Sequence, residues 1–404
     1  MDNAGNRISP GNLLKRVETS RFGPFTFQVG VDDSETSTLL QRVDDAQERF
    51  LSSPFSEVAN RLEQEVLVSS IFSTNTIEGG TLTEEETKDV LDLDPAQVQA
   101  EEQRRAVNIK TAYDLAQRSA QDDHWRLSAD FVKQIHAAIT DGLLHKYNRP
   151  GLIRSNPKNI VTHVGDTAHG GRYKPPQYRG DIELLLDHLA TWYDELASTG
   201  IPALIRAPLV HYYFELIHPF WDGNGRVGRV IEATVLHSAG FRYAPFAMAR
   251  YYMERIDQYF TLFNLCRKQA DKKTAYPNTP FVLFHLEGML AGINRLHDRV
   301  NDIVRSLLFE TRIKHLRDTK EINLRQYAIL TQVLERGKPF QIDELRRTPW
   351  HAGLYAKLSD KTKQRDLSGL REQGLLYIDE KGLVWPGPVR SNISQSKLKT
   401  VQVD

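Results

Sequence analysis

From about Ser37 onward the apolar residues of this chain recur at helical rather than strand spacing. That period predicts helices over Glu35–Leu51, Ser56–Phe72, Ala96–Ser119, Ser128–Leu143, Arg179–Thr199, Ala203–Leu216, Arg226–Ser238, Met248–Gln269 and Phe281–Leu316, each burying one face. Thr83 and Glu86 make a T-x-x-E capping-box start for a further short helix. Strand-like alternation is confined to two places. Between Tyr147 and Pro176 the helical pattern gives way to Gly-, Pro- and Asn-rich sequence around Ile160-Val161-Thr162-His163-Val164, as expected of a hairpin set on a helical body. From Asn323 a compact unit begins: a helix through Leu334, a shorter one near Ile342–Arg346, and a third over Lys361–Gln373 stopped by Gly374. Two strands then follow, Leu375–Asp379 and Leu383–Trp385, joined by Glu380-Lys381-Gly382. The class is mainly α. The expected divisions are an N-terminal arm at 1–36, a helical region at 37–95, a helical core at 96–318, a small domain at 319–388 and a loose tail at 389–404. The arm mixes Gly, Pro and charge without a period and is expected to be extended rather than part of a core.

Composition narrows the function classes. A chain of 404 residues implies more than one core. Lys and Arg together number 52 and so do Asp and Glu, so no whole-molecule field draws the protein to nucleic acid or membrane. Cys266 is the single cysteine, which excludes an internal disulfide and fits a reducing compartment. The first residues lack an apolar signal core, and no later stretch supplies about eighteen apolar residues in a row, so a cytoplasmic protein without a membrane span is expected.

The chemistry is concentrated in His218-Pro219-Phe220-Trp221-Asp222-Gly223-Asn224-Gly225-Arg226-Val227-Gly228-Arg229, between the end of one apolar helix and the start of another. Gly223 and Gly225 permit a turn whose amides point into one concavity, and the helix that follows adds its positive N-terminal field, so the string reads as an anion site. Arg226 and Arg229 lie three apart on that helix, where their guanidiniums can hold different phosphates. Asp222 is a hard oxygen ligand suited to Mg2+, and His218 can take a proton from an attacking hydroxyl near neutral pH.

This string resembles the Fic family signature, H-x-F-x-[D/E]-G-N-G-R-x-x-R, at every defining position, and the likeness extends over about Ser37 to Leu316. The resemblance implies a Fic-type helical bundle with a β-hairpin flap that transfers AMP from ATP to a Ser, Thr or Tyr hydroxyl of a protein. It makes His218 the base, Asp222 the metal ligand, Gly223, Asn224 and Gly225 the phosphate cradle with Arg226, Arg229 the γ-phosphate contact and Phe220 a core anchor. The alternatives are other chemistry of the family, namely phosphate or phosphocholine transfer and removal of AMP, or a nucleotide-sensing regulator that binds DNA.

Three further segments carry expectations from the same resemblance. Thr74-x-x-x-Glu78-Gly79 looks like the inhibitory [S/T]-x-x-x-E-[G/N] pattern of one class of the family, with Glu78 pairing Arg229 and so misplacing ATP. Residues 151–176 resemble the flap against which a target segment lies as an added strand, with Ile160, Val161 and Thr162 as the docking edge. Tyr252 and Tyr259 fall where the family places part of its adenine pocket. The last three helices and two strands resemble a winged helix-turn-helix, which implies DNA or protein as partner. On its third helix, Asp360, Asp366 and Glu372 dilute the charge of Lys361, Lys363 and Arg365. Self-modification and a homo-oligomer are expected, and the target protein is not legible.

Overall fold

The structure is a computed structural model and describes residues 13–52, 59–122, 124–336 and 339–387. The chain divides into two compact units, one ending at His297 and the other beginning at Asp298. Expected boundaries at 95 and 318 are thus not where the packing separates. Residues 37–95 belong to the first unit, and the second division falls inside a long helix.

The first unit opens with strands β1 (Leu14–Glu18) and β2 (Pro24–Gln28), an antiparallel hairpin. This corrects the reading of residues up to 36 as an extended arm, of which residues 1–12 lie outside the described residues. Phe25, Phe27, Val29 and Val31 are buried, with Phe27 against Trp192 and Tyr213 at 5.5 and 5.2 Å between ring centroids. The helical period was absent because alternate residues, not every fourth, enter the core. The hairpin turn is tied down by Asp181, whose carboxylate accepts from the Ser20, Arg21 and Phe22 amides and the Ser20 hydroxyl.

Among the described residues, this unit continues with α1 (Asp33–Leu51), α2 (Ala59–Ile77), α3 (Glu84–Leu91), α4 (Glu101–Ala120), α5 (Ala129–Thr140), α6 (Arg179–Ser198), α7 (Ala203–Ile217), α8 (Asn224–Ser238), α9 (Ala244–Glu254) and α10 (Ile256–Asp271). Their starts have local causes. Asp32 and Ser128 cap α1 and α5, and Thr83 with Glu86 makes the expected capping box of α3. Helix α7 is apolar on all sides and occupies the middle of the bundle, packed between α6 and α8, while α8 also meets α4 and α5.

The helix expected over Met248–Gln269 is two. It breaks at Arg255, whose backbone leaves the helical region at φ −131° and ψ 41°. Across an unbroken helix Tyr252 and Tyr259 would sit roughly 10 Å apart along the axis. The break brings their rings face to face at 4.6 Å and 16°.

The hairpin expected around Ile160–Val164 is reduced to a single antiparallel bridge between Val164 and Tyr173. Continuing that register would oppose Thr162 and Val161 to Pro175 and Pro176, which have no N–H to donate. The side chain of Gln177 takes over instead: its Oε1 accepts from the Thr162 amide at 2.8 Å and its Nε2 donates to the Thr162 carbonyl at 3.1 Å.

Helix α11 (Thr279–Asp318) passes through the boundary between the units. The second unit adds α12 (Leu324–Arg336), β3 (Phe340–Gln341), α13 (Ile342–Arg347), α14 (Pro349–Leu354), α15 (Asp360–Glu372), β4 (Leu376–Ile378) and β5 (Leu383–Pro386). Its sheet has the antiparallel order β3-β5-β4, and α14 and β3 extend the pattern read from sequence. Phe309 and Ile313 of α11 are buried in its core with Leu330, Leu345, Leu370 and Val384. That is why this unit begins before residue 319. The tail expected at 389–404 lies outside the described residues. No helix among the described residues is long and apolar enough to cross a membrane.

Candidate active site

The site is built where α7 ends and α8 begins. His218 caps α7 in the left-handed conformation, at φ 48° and ψ 64°, a region that a side chain ordinarily resists. Arg154 holds it there. This buried guanidinium donates from Nε to the His218 carbonyl at 2.8 Å and from Nη2 to the Pro176 carbonyl, and the Arg154 amide bonds the Pro219 carbonyl. Burial lowers the Arg154 pKa to about 10, leaving it charged at neutral pH. His218 Nδ1 is buried 3.4 Å from Glu215 Oε2, which turns the ring's other nitrogen away from α7.

Below the turn, Phe220 is fully buried and stacked on His136, with ring centroids 3.6 Å apart and planes within 2°. His136 Nε2 bonds the Asp222 carbonyl and its Nδ1 accepts from the Gly151 amide, so the ring carries its proton on Nε2 and stays neutral. Burial pushes its pKa down to about 4. Asn224 closes the turn by exchanging both amide hydrogen bonds with the Phe220 backbone, at 3.0 and 2.9 Å. Gly223, at φ 84°, precedes the first helical residue, so α8 starts two residues earlier than the sequence pattern suggests.

The charged groups gather on the first two turns of α8. Asp222 Oδ2 pairs with Arg226 Nη2 at 2.7 Å; burial raises this carboxyl's pKa, but Arg226 outweighs it and holds the group below the usual range. Arg226 is 2% exposed, and its Nε and Nη1 are buried without a partner. Arg229 is equally buried; it donates from Nη2 to Glu78 Oε1 at 2.7 Å and to the Thr74 carbonyl at 3.3 Å, and its Nε has no partner. Such orphaned donors beside a glycine turn and a helix N-terminus fit a phosphate chain. The Asp222 carboxylate, 42% exposed, fits Mg2+. Among the described residues no group of three or more His, Cys, Asp or Glu surrounds it, so phosphate oxygens and water would complete the coordination.

Glu78 follows the last turn of α2, its carbonyl held by Arg105 Nη2 at 3.0 Å. Thr74 Oγ1 meets the Tyr113 hydroxyl at 3.1 Å inside the core, and Gly79 turns the chain at φ 80°. The Glu78 carboxylate fills the space over Gly225: a Cβ there would collide with Glu78 Oε1.

Glu78, His218, Gly225 and Arg229 face a cavity of about 320 Å³, lined also by Glu215 and, on its apolar side, by Val164, Tyr259, Phe260 and Phe263, whereas Asp222, Gly223, Asn224 and Arg226 are not among its lining residues. Tyr259 is therefore at the cavity as expected. Tyr252 is not among the lining residues; it is buried behind Tyr259 with its hydroxyl on Glu232, because the break at Arg255 stacks the two rings in depth. Of the expected docking edge, Ile160 and Thr162 have their backbones engaged within the flap, and Val161 is 47% exposed. The motif did not reveal Arg154, Glu215 or Glu232. Glu232 and Glu215 had a signal, each as an acid within an apolar run, Val230-Ile231-Glu232-Ala233 and Tyr213-Phe214-Glu215-Leu216.

Residues 126–236 match the family model described as Fic/DOC family. The chain is 28% identical over 197 residues to Protein adenylyltransferase Fic of Drosophila ananassae, covering 46% of this chain and 35% of that protein. It is 25% identical over 232 residues to Protein adenylyltransferase fic-1 of Caenorhabditis elegans, covering 57% and 42%. The matches thus span well under half of those relatives' length. In fold, it is similar to a Fic domain containing signaling protein from Bacteroides thetaiotaomicron, with a TM-score of 0.53, 20% identity, and coverage of 65% of this chain and 97% of that one. A Fic family protein from Desulfovibrio desulfuricans gives a TM-score of 0.51 at 20% identity and covers 87% and 95%. The loop-to-helix turn and its buried arginine donors lie within residues 126–236, the segment that is similar to the Fic/DOC family.

Proposed function

We propose that the first unit is a protein adenylyltransferase that moves AMP from ATP to a protein hydroxyl. The observation that carries this is the set of buried, unpartnered donors on Arg226 and Arg229 beside the Gly223–Gly225 turn, with Arg229 and His218 facing one cavity. The phosphates lie on those donors and on the amides at the head of α8, and the purine lies against the apolar wall. Asp222 would hold Mg2+, which would supply positive charge to offset that of the phosphates. With His218 Nδ1 turned to Glu215, Nε2 takes the proton of the attacking hydroxyl. The hydroxyl oxygen bonds the α-phosphorus as the bond from that phosphorus to the bridging oxygen breaks, and pyrophosphate leaves. The relatives' names support AMP as the transferred group.

On the same reading, Glu78 acts as a brake on the site. Glu78 occupies Arg229, the cation that would orient the γ-phosphate, so ATP meets a filled position. Intact-mass spectrometry of wild type, Glu78→Gly and His218→Ala after incubation with Mg2+ and ATP tests both claims. Self-modification by one AMP moiety should rise severalfold in Glu78→Gly and vanish in His218→Ala. A mass shift of phosphate or phosphocholine, or equal modification in all three, excludes this reading.

For the second unit we infer a winged helix-turn-helix, with α15 as the third helix and β4–β5 as the wing. One observation favours DNA over protein as its partner. Of the carboxylates that dilute α15, Asp366 is withdrawn, buried against Arg325, Asn323 and Tyr355, whereas Asp360, paired with Lys363, and Glu372 stay exposed. The exposed stripe is Lys361, Gln364, Arg365, Ser368 and Arg371, with Glu372 at its end. Residues 298–404 hold 20 Lys and Arg against 14 Asp and Glu, while residues 1–297 hold 32 against 38, so the neutral total conceals a basic C-terminal part. Gel shifts across a salt series should show binding weakened by Lys361→Ala and Arg365→Ala, each reducing the salt slope by about one. Binding that ignores both changes rules out this surface.

A further inference from the structure

Behind the cavity wall, six buried side chains from five helices form one hydrogen-bonded network. Glu232, one turn beyond Arg229 on α8, places Oε2 at 2.8 Å from His211 Nδ1. His211 Nε2 lies 3.0 Å from the Tyr259 hydroxyl, and that hydroxyl accepts from Arg229 Nη1 at 3.4 Å. The other carboxylate oxygen, Oε1, receives the Tyr252 hydroxyl at 2.8 Å and faces His285 Nδ1 at 2.6 Å. A Cβ at Gly228 would press on His211 Cδ2 at 2.7 Å, so the glycine is what lets α7 and α8 approach closely enough for the network to close.

The direction of the line from Arg229 to Glu232 follows from its two ends. Arg229 has no acceptor, and a carboxylate has no donor. Burial raises the Glu232 pKa, yet His211 and His285 more than offset this and hold it far below the usual carboxylate range. His211 must then present Nδ1–H to Glu232, which leaves Nε2 as an acceptor for the Tyr259 O–H. The Tyr259 oxygen keeps its lone pairs for Arg229. Each bond points the same way, from guanidinium to carboxylate, and each polarises the next.

We propose that Glu232, through His211 and Tyr259, is the positioning residue that aims Arg229 and balances its charge when Glu78 leaves. Glu78 is the exchangeable partner, on the cavity side and 26% exposed; Glu232 is the permanent one, at 2%. Without it, releasing the brake would leave a buried guanidinium with no carboxylate, at severe desolvation cost. This rests on the reading of Arg229 as the γ-phosphate contact.

The test is calorimetric binding of ATP and ADP, each with Mg2+, to the full chain carrying Glu78→Gly, alone and combined with Tyr259→Phe or Glu232→Gln. Arg229 can tell the nucleotides apart only through the γ-phosphate. Each second change should therefore weaken ATP by about tenfold or more, as for loss of a bond to a charged group, and leave ADP unchanged. A hydrogen bond from the Tyr259 hydroxyl to the nucleotide itself would weaken both alike and overturn the proposal, as would an undiminished ATP preference. Tyr259→Phe removes one atom and keeps the packing, so the answer stands even if Glu232→Gln does not fold. Equal affinities already in Glu78→Gly alone would overturn the γ-phosphate reading itself, and the relay with it.

Discussion

His136 lies flat on Phe220 with its ring neutral, and its isolation from water has a consequence for acid stability. An unfolded histidine takes up its proton near pH 6.5, whereas His136 in the fold resists until about 4. Between those values the unfolded chain binds more protons, so the contribution is complete above pH 6.5 and is lost as pH falls toward 4, by about 3 kcal/mol. Urea unfolding between pH 7 and 4, with the His136 ring followed by NMR, measures it; a ring that titrates near 6.5 in the folded protein refutes the account. Phe220→Ala removes the same stack from a fully buried site and should cost about 3–5 kcal/mol in the same assay. Residues of this kind divide by how far apart their contacts are in the chain. The string from His218 to Arg229 could be read because its chemistry is concentrated within twelve residues. Arg154 reaches the His218 carbonyl across 64 residues, and no local pattern announces such a contact.

At the scale of elements, the period revealed most helices and failed where a segment obeys another constraint. The hairpin β1–β2 was missed because its buried residues alternate over only five-residue strands. The flap was overread as a ladder, because Pro175 and Pro176 remove the donors that the alternation around Val161 would need. The docking of β1–β2 depends heavily on one side chain: Asp181 accepts four hydrogen bonds from the turn. Asp181→Ala should lower stability by about 2–4 kcal/mol and speed hydrogen exchange of the β1 and β2 amides before the rest of the unit. Uniform exchange in both proteins would show that the turn is held elsewhere. Thr83→Ala, which opens the capping box of α3, is a smaller change of about 1 kcal/mol, and Thr83→Ser should largely restore it.

For the whole molecule, the boundary within α11 sets what can fold alone. A fragment of residues 298–404 keeps Phe309 and Ile313 in the C-terminal core, while one of residues 319–404 begins after them. The longer fragment should unfold cooperatively in urea, and the shorter should bind a hydrophobic dye and show collapsed amide dispersion. Equal behaviour would place the boundary at 318 after all. Sequence suggested that number because helices end visibly, whereas a core that recruits the end of a neighbouring helix leaves no mark in the period.

The missing side chain at Gly225 constrains how this protein can change. The hollow that would admit a triphosphate is the same hollow that Glu78 enters, and even one methyl group on α8 would obstruct it. Bulk added there cannot bar the resident carboxylate while sparing the visiting nucleotide. If Glu78 is the brake proposed, changes that release it fall on the far wall, at Thr74 near the end of α2 and at Glu78 and Gly79 just beyond it, while the glycine turn stays intact.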